Sequence, residues 1–422
     1  MRFIRLYRLL AGSCLTAMLL LSPLQASAYT MWNQNLGSVP SNTSRALDLY
    51  KAVQSAISAN PVQYYANYVA HQNILRKING PADTINDRIN DFARSMVPTT
   101  ALLAPTVVRS TLDQNQNLLS ANLTGILFNV TRPDPSDHTG LDSPWRSWVN
   151  PYGTYEEYDA ADSSFKDIDV RSGGVNAGIG LRIGDAKGLG ASLGLSFNYT
   201  HGYMNGSNQD AYYDSFGLMG GLRTTGLIPD CPVSPWVELI GGYSFTAFEQ
   251  DRTDYIGREH TGDFDMHAIR LGVAIGQDFA LSETLRFTPI IGLDYTFSAQ
   301  DSFTEDSKNG LEMRMSSDEM SSLRGKIGGE MEMTSGDFSA GLRAFYRYEF
   351  LDEQIELDTR FPNLSQFEYT AKGPDYDQSS GEVGVNASYR LDDAMSLGAG
   401  YDFVTADDYT GHRVNVQFRL TF

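Results

Sequence analysis

The 422-residue chain carries 32 Lys and Arg against 51 Asp and Glu, a formal charge of −19, which argues against a nucleic-acid partner because phosphate recognition needs clustered cations. Mean hydropathy is −0.29. Beyond the N-terminus no stretch approaches 18 consecutive apolar residues, which excludes a further membrane helix but not a barrel, whose strands face lipid with only every second residue.

In chain order, residues 1–28 combine Arg2, Arg5 and Arg8 with an apolar stretch through Leu19 to Leu21 and the small residues Ala26-Ser27-Ala28, predicting a removable export signal. A membrane anchor fits less well, since the apolar core is short. A lipoprotein reading at Cys14 fails because Ala11-Gly12-Ser13 departs from the leucine-led box such anchors use. Cleavage leaves Cys231, in the turn Asp230-Cys231-Pro232, without a partner for an internal disulfide.

Residues 29–104 read as a short helical region. Ala46, Leu49, Tyr50, Val53 and Ile57 recur at helical spacing, as do Ile85, Ile89, Phe92 and Met96, while Asn60-Pro61 and Gly80-Pro81 break the pattern into three helices. Residues 105–144 read as a fourth helix and a linker. Pro105 suits a first turn there and Gly125 a C-terminal cap. The middle, Asp113-Gln114-Asn115-Gln116-Asn117, is polar all round, so the segment is either a helix in wet surroundings or an exposed linker.

From residue 145 the pattern turns to period two. Twelve strands are predicted, at about 145–158, 168–184, 188–203, 210–226, 233–250, 262–281, 284–302, 310–333, 336–352, 378–391, 394–405 and 412–422. Leu189 through Tyr199 put apolar side chains on one face, with Gly190 through Thr200 on the other. In the first strand, Trp145, Trp148 and Tyr152 leave open which face points outward. Other polar faces carry Arg182, Arg270, Arg324, Lys326, Glu330, Arg343, Arg347 and Arg419, which fits a water-filled lumen. The strand lengths exceed those of a soluble sandwich, which averages about five or six residues. Short connections (184–188, 281–283, 334–336, 392–393) alternate with longer polar ones (205–209, 251–261, 352–377), and the 226–235 connection is the longest of the first set. The final strand alternates to its last residue: Val414, Val416, Phe418, Leu420 and Phe422 share one face, Arg413, Asn415, Gln417, Arg419 and Thr421 the other.

SPWRSWVNPYGTYEEYD followed by FKDIDVRSGGVNAGIGLRIGD resembles the opening of the autotransporter β-domain, the translocator of type V secretion, with Trp148, Tyr152, Gly153, Asp169, Gly173, Gly174, Gly178, Arg182, Gly184 and Asp185 carrying the match. The terminal run ending at Phe422 resembles that family's aromatic-ended assembly signal, read by the barrel-assembly machinery. The resemblance implies a 12-stranded antiparallel transmembrane β-barrel over residues 145–422, with a pore-spanning α-helix that includes Asp113 to Asn117. It also implies insertion into outer-membrane lipid of a Gram-negative bacterium as a monomer, with periplasmic chaperones assisting. Residues 29–104 would be a reduced passenger or a pre-barrel segment, since no β-helix or folded enzyme precedes the barrel. Some members cleave themselves at an asparagine in the pore helix. Asn115, Asn117 and Asn122 are candidates, though no Asn-Asn pair is present.

No enzyme is expected. His201, His260, His267 and His412, with Asp210, Asp263 and Asp265, could form a rim site, but no paired spacing stands out and ordinary rim polarity explains them better. No Gly-x-Ser-x-Gly elbow occurs, and no cofactor or metal is expected. The expected function is translocation and surface anchoring. Its rival is a stand-alone channel or adhesin that keeps the helical segment in the lumen or periplasm.

Overall fold

The computed structural model describes residues 85–128, 145–159, 167–183, 190–225, 235–306, 311–351, 353–362, 368–374 and 378–422, with Asp48, Lys51, Asn73, Ile74 and Lys77. The expected export signal, most of the first helical runs, the 129–144 linker and Cys231 lie outside them.

Two helices come first, α1 (Ile85–Arg94) and α2 (Thr99–Phe128). Strands follow: β1 (Trp145–Tyr158), β2 (Ile168–Ile183), β3 (Gly190–Gly206), β4 (Gln209–Thr225), β5 (Pro235–Thr253) and β6 (Glu259–Gln277). Next are β7 (Phe279–Ala280), β8 (Leu285–Gln300), β9 (Phe303–Thr304), β10 (Arg314–Met315), β11 (Asp318–Ser335) and β12 (Phe338–Glu349). The last are β13 (Glu356–Arg360), β14 (Glu368–Lys372), β15 (Ser379–Arg390), β16 (Met395–Ala406) and β17 (Tyr409–Thr421).

Twelve of these strands, each antiparallel to its neighbours, close into a barrel: β1 to β6, then β8, β11, β12, β15, β16 and β17, with β17 returning to β1. Closure follows from the backbone, since an open edge in lipid would leave a row of amides unpaired. The β17–β1 register runs from Arg146 opposite Thr421 to Tyr158 opposite Tyr409 and skips Asn150 and Pro151, where proline has no N–H to give. Trp145 and Phe422 mark one end, the terminal rim; the other is the far rim.

Alternation sorts the faces. Ile291 and Ile327 are each 59% exposed on the outer surface, while Asn176, Thr246 and Arg270 are buried on the inner one. On β1 the outward residue is Trp145, and Trp148 and Tyr152 point inward. Indole and phenol rings need space there, and glycine supplies it. A Cβ at Gly178 would lie 2.3 Å from the Trp148 ring, and one at Gly174 2.7 Å from Tyr152.

Several expected boundaries move. The connection expected at 205–209 is a two-residue turn, Ser207-Asn208, and the one at 251–261 shrinks to residues 254–258 because β5 and β6 stay paired to Thr253 and Glu259. The strand expected from residue 310 begins at Asp318. Its intended first part, and the 352–377 connection expected as loop, supply β10, β13 and β14 instead. With β9 these form a four-stranded sheet in the order β14-β13-β10-β9 at the far rim. Met315, Leu357, Phe361 and Tyr369 of this cap bury against one hydrophobic cluster with Phe92, Met96, Val97 and Leu102. Apolar residues spaced too sparsely to read as strands are recruited by that cluster. A stack of Phe248, Phe264 and Phe303, with ring centroids 4.8 Å apart at each step, joins cap to barrel wall.

Candidate functional site

The lumen is occupied by α2. Its 30 residues span about 45 Å at 1.5 Å per residue, more than the roughly 30 Å hydrocarbon core of a bilayer. The helix begins at Thr99, so Pro105 stands inside it rather than in its first turn. Proline there removes the N–H that would bond the Ala101 carbonyl.

The helix enters at the far rim. Gln209 at the β3–β4 turn accepts from the Thr100 N–H at 3.2 Å and donates to the Val97 carbonyl, while Thr100 Oγ1 donates to Gln250 Oε1 at 2.8 Å. The first of these satisfies one of the N–H donors that every helix start leaves open. The helix ends toward the terminal rim. Leu119 and Leu123 pack over Gly194 and Gly221, where an added Cβ would stand 2.9 Å and 2.6 Å from Leu123. Glycines in β3 and β4 therefore let the helix lie directly on that wall, and the opposite wall keeps a polar gap.

Midway, Asp113 is 4% exposed and faces three cations. Its carboxylate meets Arg324 at 2.5 Å, Arg270 at 2.7 Å and Arg347 at 3.5 Å. Gln116 extends the network, accepting from Arg270 Nε at 2.7 Å and donating to Asp294 at 2.6 Å. Gln114 Oε1, Asn115 Oδ1 and Asn117 Nδ2 are buried without a protein hydrogen-bond partner. The polar pentad thus divides into two anchors, Asp113 and Gln116, two residues that line the polar gap, Gln114 and Asn117, and Asn115, which lies beside the Tyr152 side chain of β1.

Toward the terminal rim, Ser120 donates to Glu238 at 2.9 Å, and Arg223 pairs with Glu238 at 2.8 Å while stacking on Trp236 at 3.9 Å. Gln417 and Arg419 of β17 donate to Asn122 Oδ1 at 3.1 and 3.0 Å, and Arg419 also reaches the Ala121 carbonyl at 3.0 Å. A cation near the end of a helix suits its dipole. Asn122 is therefore held by an amide and a guanidinium rather than beside an acid. On the outward face of the same strand Val414, Val416, Phe418, Leu420 and Phe422 are exposed, at the positions a barrel offers to lipid.

The histidines do not converge. His201 pairs with Asp214 at 3.0 Å, His267 with the Tyr243 hydroxyl at 2.6 Å and His412 with the Tyr401 hydroxyl at 2.8 Å, on separate outward-facing strands. His260 is fully buried at the far rim, 3.2 Å from Asp254. None of these pairs uses Asp210, Asp263 or Asp265. Beside it Arg252 forms two 2.6 Å bonds to Glu305 and donates to the Ser95 carbonyl at 3.0 Å, tying the chain ahead of α2 to the rim.

Sequence reasoning passed over Gln209, Gln250, Glu238, Arg252 and Glu305, which are single polar residues among strand positions. One signal was present: Gly194 and Gly221 lie on inner faces, where only a close packing partner explains a missing side chain.

The family model described as Autotransporter beta-domain matches residues 147–402. Outer membrane protein B of Rickettsia prowazekii is 22% identical over 380 residues, which are 84% of this chain and 22% of that protein. Its counterpart in Rickettsia japonica is 27% identical over 171 residues, 38% of this chain and 10% of that protein. The chain thus spans a tenth to about a fifth of the length of these curated relatives. Among solved structures, the translocator domain of autotransporter NalP from Neisseria meningitidis matches with a TM-score of 0.57 and 17% identity, covering 76% of this chain and 99% of that one.

Proposed function

From a chain that belongs to the autotransporter β-domain family, and so has an outer-membrane translocator role, we infer the finer reading that it carries its own N-terminal segment through the barrel and holds it at the outer mouth. The observation that supports this reading most is the direction of α2. Its start touches Gln209 and Gln250 at the far rim, and its end lies over Gly194 near the rim where β1 begins. An even number of strands puts both barrel ends on one side of the membrane; in this reading that side is the periplasm, and the described residues 85–98 ahead of α2 stand toward the outer side.

The mechanism needs no catalytic step. A closed barrel satisfies the strand amides in lipid, and a polar lumen accepts a chain and then a helix. In this reading the outward face of β17, from Val414 to Phe422, is the assembly signal met by the barrel-assembly machinery, periplasmic chaperones deliver the chain, and the barrel acts as a monomer. Asp113 to Asn117 serve as the hydrophilic middle of the retained helix.

The experiment is an epitope inserted beside Asn42 and probed with antibody on intact cells, with a periplasmic marker as leakage control. Surface signal is expected. Its absence from cells whose barrel is assembled would overturn export of this segment. A second reading, a barrel that keeps the segment as a plug, draws on the Arg252 and Tyr369 contacts at the rim, because they bind the segment on the side it would otherwise leave. Conductance after deletion of residues 29–125 tests it, with an enlarged current expected if the segment is the obstruction.

A further inference from the structure

Beside α2, on the wall away from Gly194, lies a cavity of ≈ 120 Å³, several waters' worth of space at about 30 Å³ each. Its upper edge is formed by the far-rim residues Leu351, Gln378 and Ala406, and its floor carries Arg324, Arg347 and Arg413. Arg347 and Arg413 are 5% and 2% exposed. Four of the guanidinium N–H positions on this floor, Arg324 Nε, Arg347 Nε, Arg413 Nε and Arg413 Nη1, are buried with no hydrogen-bond acceptor in the protein.

The neighbouring carboxylates are already engaged. Asp113 takes Arg324, Arg270 and Arg347; Glu349 takes Arg109 at 3.3 Å, Ser322 at 2.5 Å and the Leu323 N–H at 2.7 Å; Glu353 takes the Ser321 N–H at 2.7 Å. The four guanidinia that line the cavity (Arg109, Arg324, Arg347, Arg413) are matched in charge by carboxylates that line it (Asp113, Glu349, Glu353) or pair with them from beside it, Glu382 with Arg347 and Glu156 with Arg413 at 3.7 Å. What is short is hydrogen-bond acceptors at those four N–H positions. A buried donor left unmet costs roughly 1–3 kcal/mol, and more on a charged group, so four of them on three adjacent arginines define a place where an acceptor belongs.

We propose that this cavity is a binding site for one small inorganic oxyanion, of the phosphate or sulfate class, that enters from the outer medium and completes the hydrogen bonding of Arg324, Arg347 and Arg413. A tetrahedral oxyanion offers several oxygens at the spacing of guanidinium N–H groups, whereas chloride offers one centre. The bound anion bridges the β11, β12 and β17 wall across the gap that α2 leaves open. The inference does not depend on whether the N-terminal segment is exported.

The test uses the full chain purified in detergent, titrated with radiolabelled inorganic phosphate by equilibrium dialysis at constant ionic strength set with chloride. The expected result is saturable binding at one site per chain, displaced by sulfate, and weakened at least tenfold in Arg413→Gln and in Arg324→Gln. Ser380→Leu, which fills the cavity and removes no charge, is expected to abolish binding in a barrel that keeps its heat-modifiable mobility, so a folding defect at Arg413 does not decide the matter. Arg390→Gln, whose Asp337 partner lies outside the cavity at the terminal rim, is expected to bind as the parent does. Uptake that is linear, unsaturated and equal in all variants would overturn the proposal and leave buried water as the acceptor.

Discussion

Replacing Asp113 by Asn keeps the shape of the side chain and removes the charge on which three arginines converge. The arginines lose unequally. Arg270 retains Asp294 at 3.4 Å and Gln116, and Arg347 retains Glu382, but Arg324 loses the only carboxylate within ion-pair distance among the described residues. Breaking a buried ion pair from one side costs about 3–5 kcal/mol. The two retained partners and the adjoining wet cavity favour the lower end, so helix seating should weaken by about 3 kcal/mol, a factor of about 10² in the ratio of open to plugged lumen at 1.36 kcal/mol per decade. The assay is planar-bilayer conductance of the purified barrel at neutral pH, scoring the fraction of time in the large open state. Asn117→Ala is the control. Its Nδ2 has no acceptor in the protein and it makes no ion pair, so its open fraction should stay within about threefold of the parent, a change of at most about 0.65 kcal/mol. An unchanged open fraction in Asp113→Asn, or an equal rise in both variants, would refute the idea that this carboxylate is the principal lock on the helix.

Further outcomes are expected at the lipid face, at the inward rings and at the far-rim dock. Val416→Arg, on the lipid face of β17, should cost about 2–4 kcal/mol if it lies near the bilayer midplane, and Phe422→Asp should lower the yield of assembled barrel; heat-modifiable mobility in a gel reads both. Gly178→Val should fail to accommodate Trp148, because the new Cβ would stand 2.3 Å from the ring and 2.5 Å from the Leu195 carbonyl, with a cost of at least about 1–3 kcal/mol seen as a lower urea midpoint. Arg252→Ala should strand the fully buried Glu305 and free the chain near Ser95 from the rim, so that limited proteolysis of intact barrels cuts there faster than in the parent. The neighbouring Tyr369 hydroxyl, which donates to the Met96 carbonyl, adds a pH signature. Burial raises its pKa above the ordinary 10.0. The neutral phenol therefore stabilises the docked segment fully below about pH 10 and loses that effect as pH rises further. Tyr369→Phe should flatten the alkaline rise in proteolysis.

The barrel was legible because lipid on one side and water on the other impose period two on every wall strand, as Leu195, Phe197 and Tyr199 against Ser196, Asn198 and Thr200 illustrate. Orientation of the first strand was not legible. Trp148 and Tyr152 are buried inward only because Gly178 and Gly174, two strands' breadth of sequence away, leave space for them. The cap was missed for a related reason: β9 and β10 are two residues each, and what holds them is a cluster assembled from Phe92, Met96, Leu357 and Tyr369 at long sequence separation. Asp113 could be singled out as a polar residue in an awkward place, yet nothing near it in sequence names Arg270, Arg324 or Arg347. Those partners become neighbours only through closure.

Closure also links the two faces of the last strand. Val414, Val416, Phe418, Leu420 and Phe422 face outward, while Arg413 donates to Ser110 at 2.9 Å and Gln417 and Arg419 hold Asn122 on the inner side. A register slip of one residue would exchange the two sets, placing Arg413 and Arg419 in lipid and Phe418 against the polar helix. Either consequence is costly, and both act in the same direction. Since the contacts that hold α2 along its length include groups on β17, and β17 pairs with β16 on one side and closes on β1 on the other, a fully seated helix requires a correctly closed barrel. The alternation that ends the chain therefore specifies the lipid face, the register of closure and the seat of the helix together.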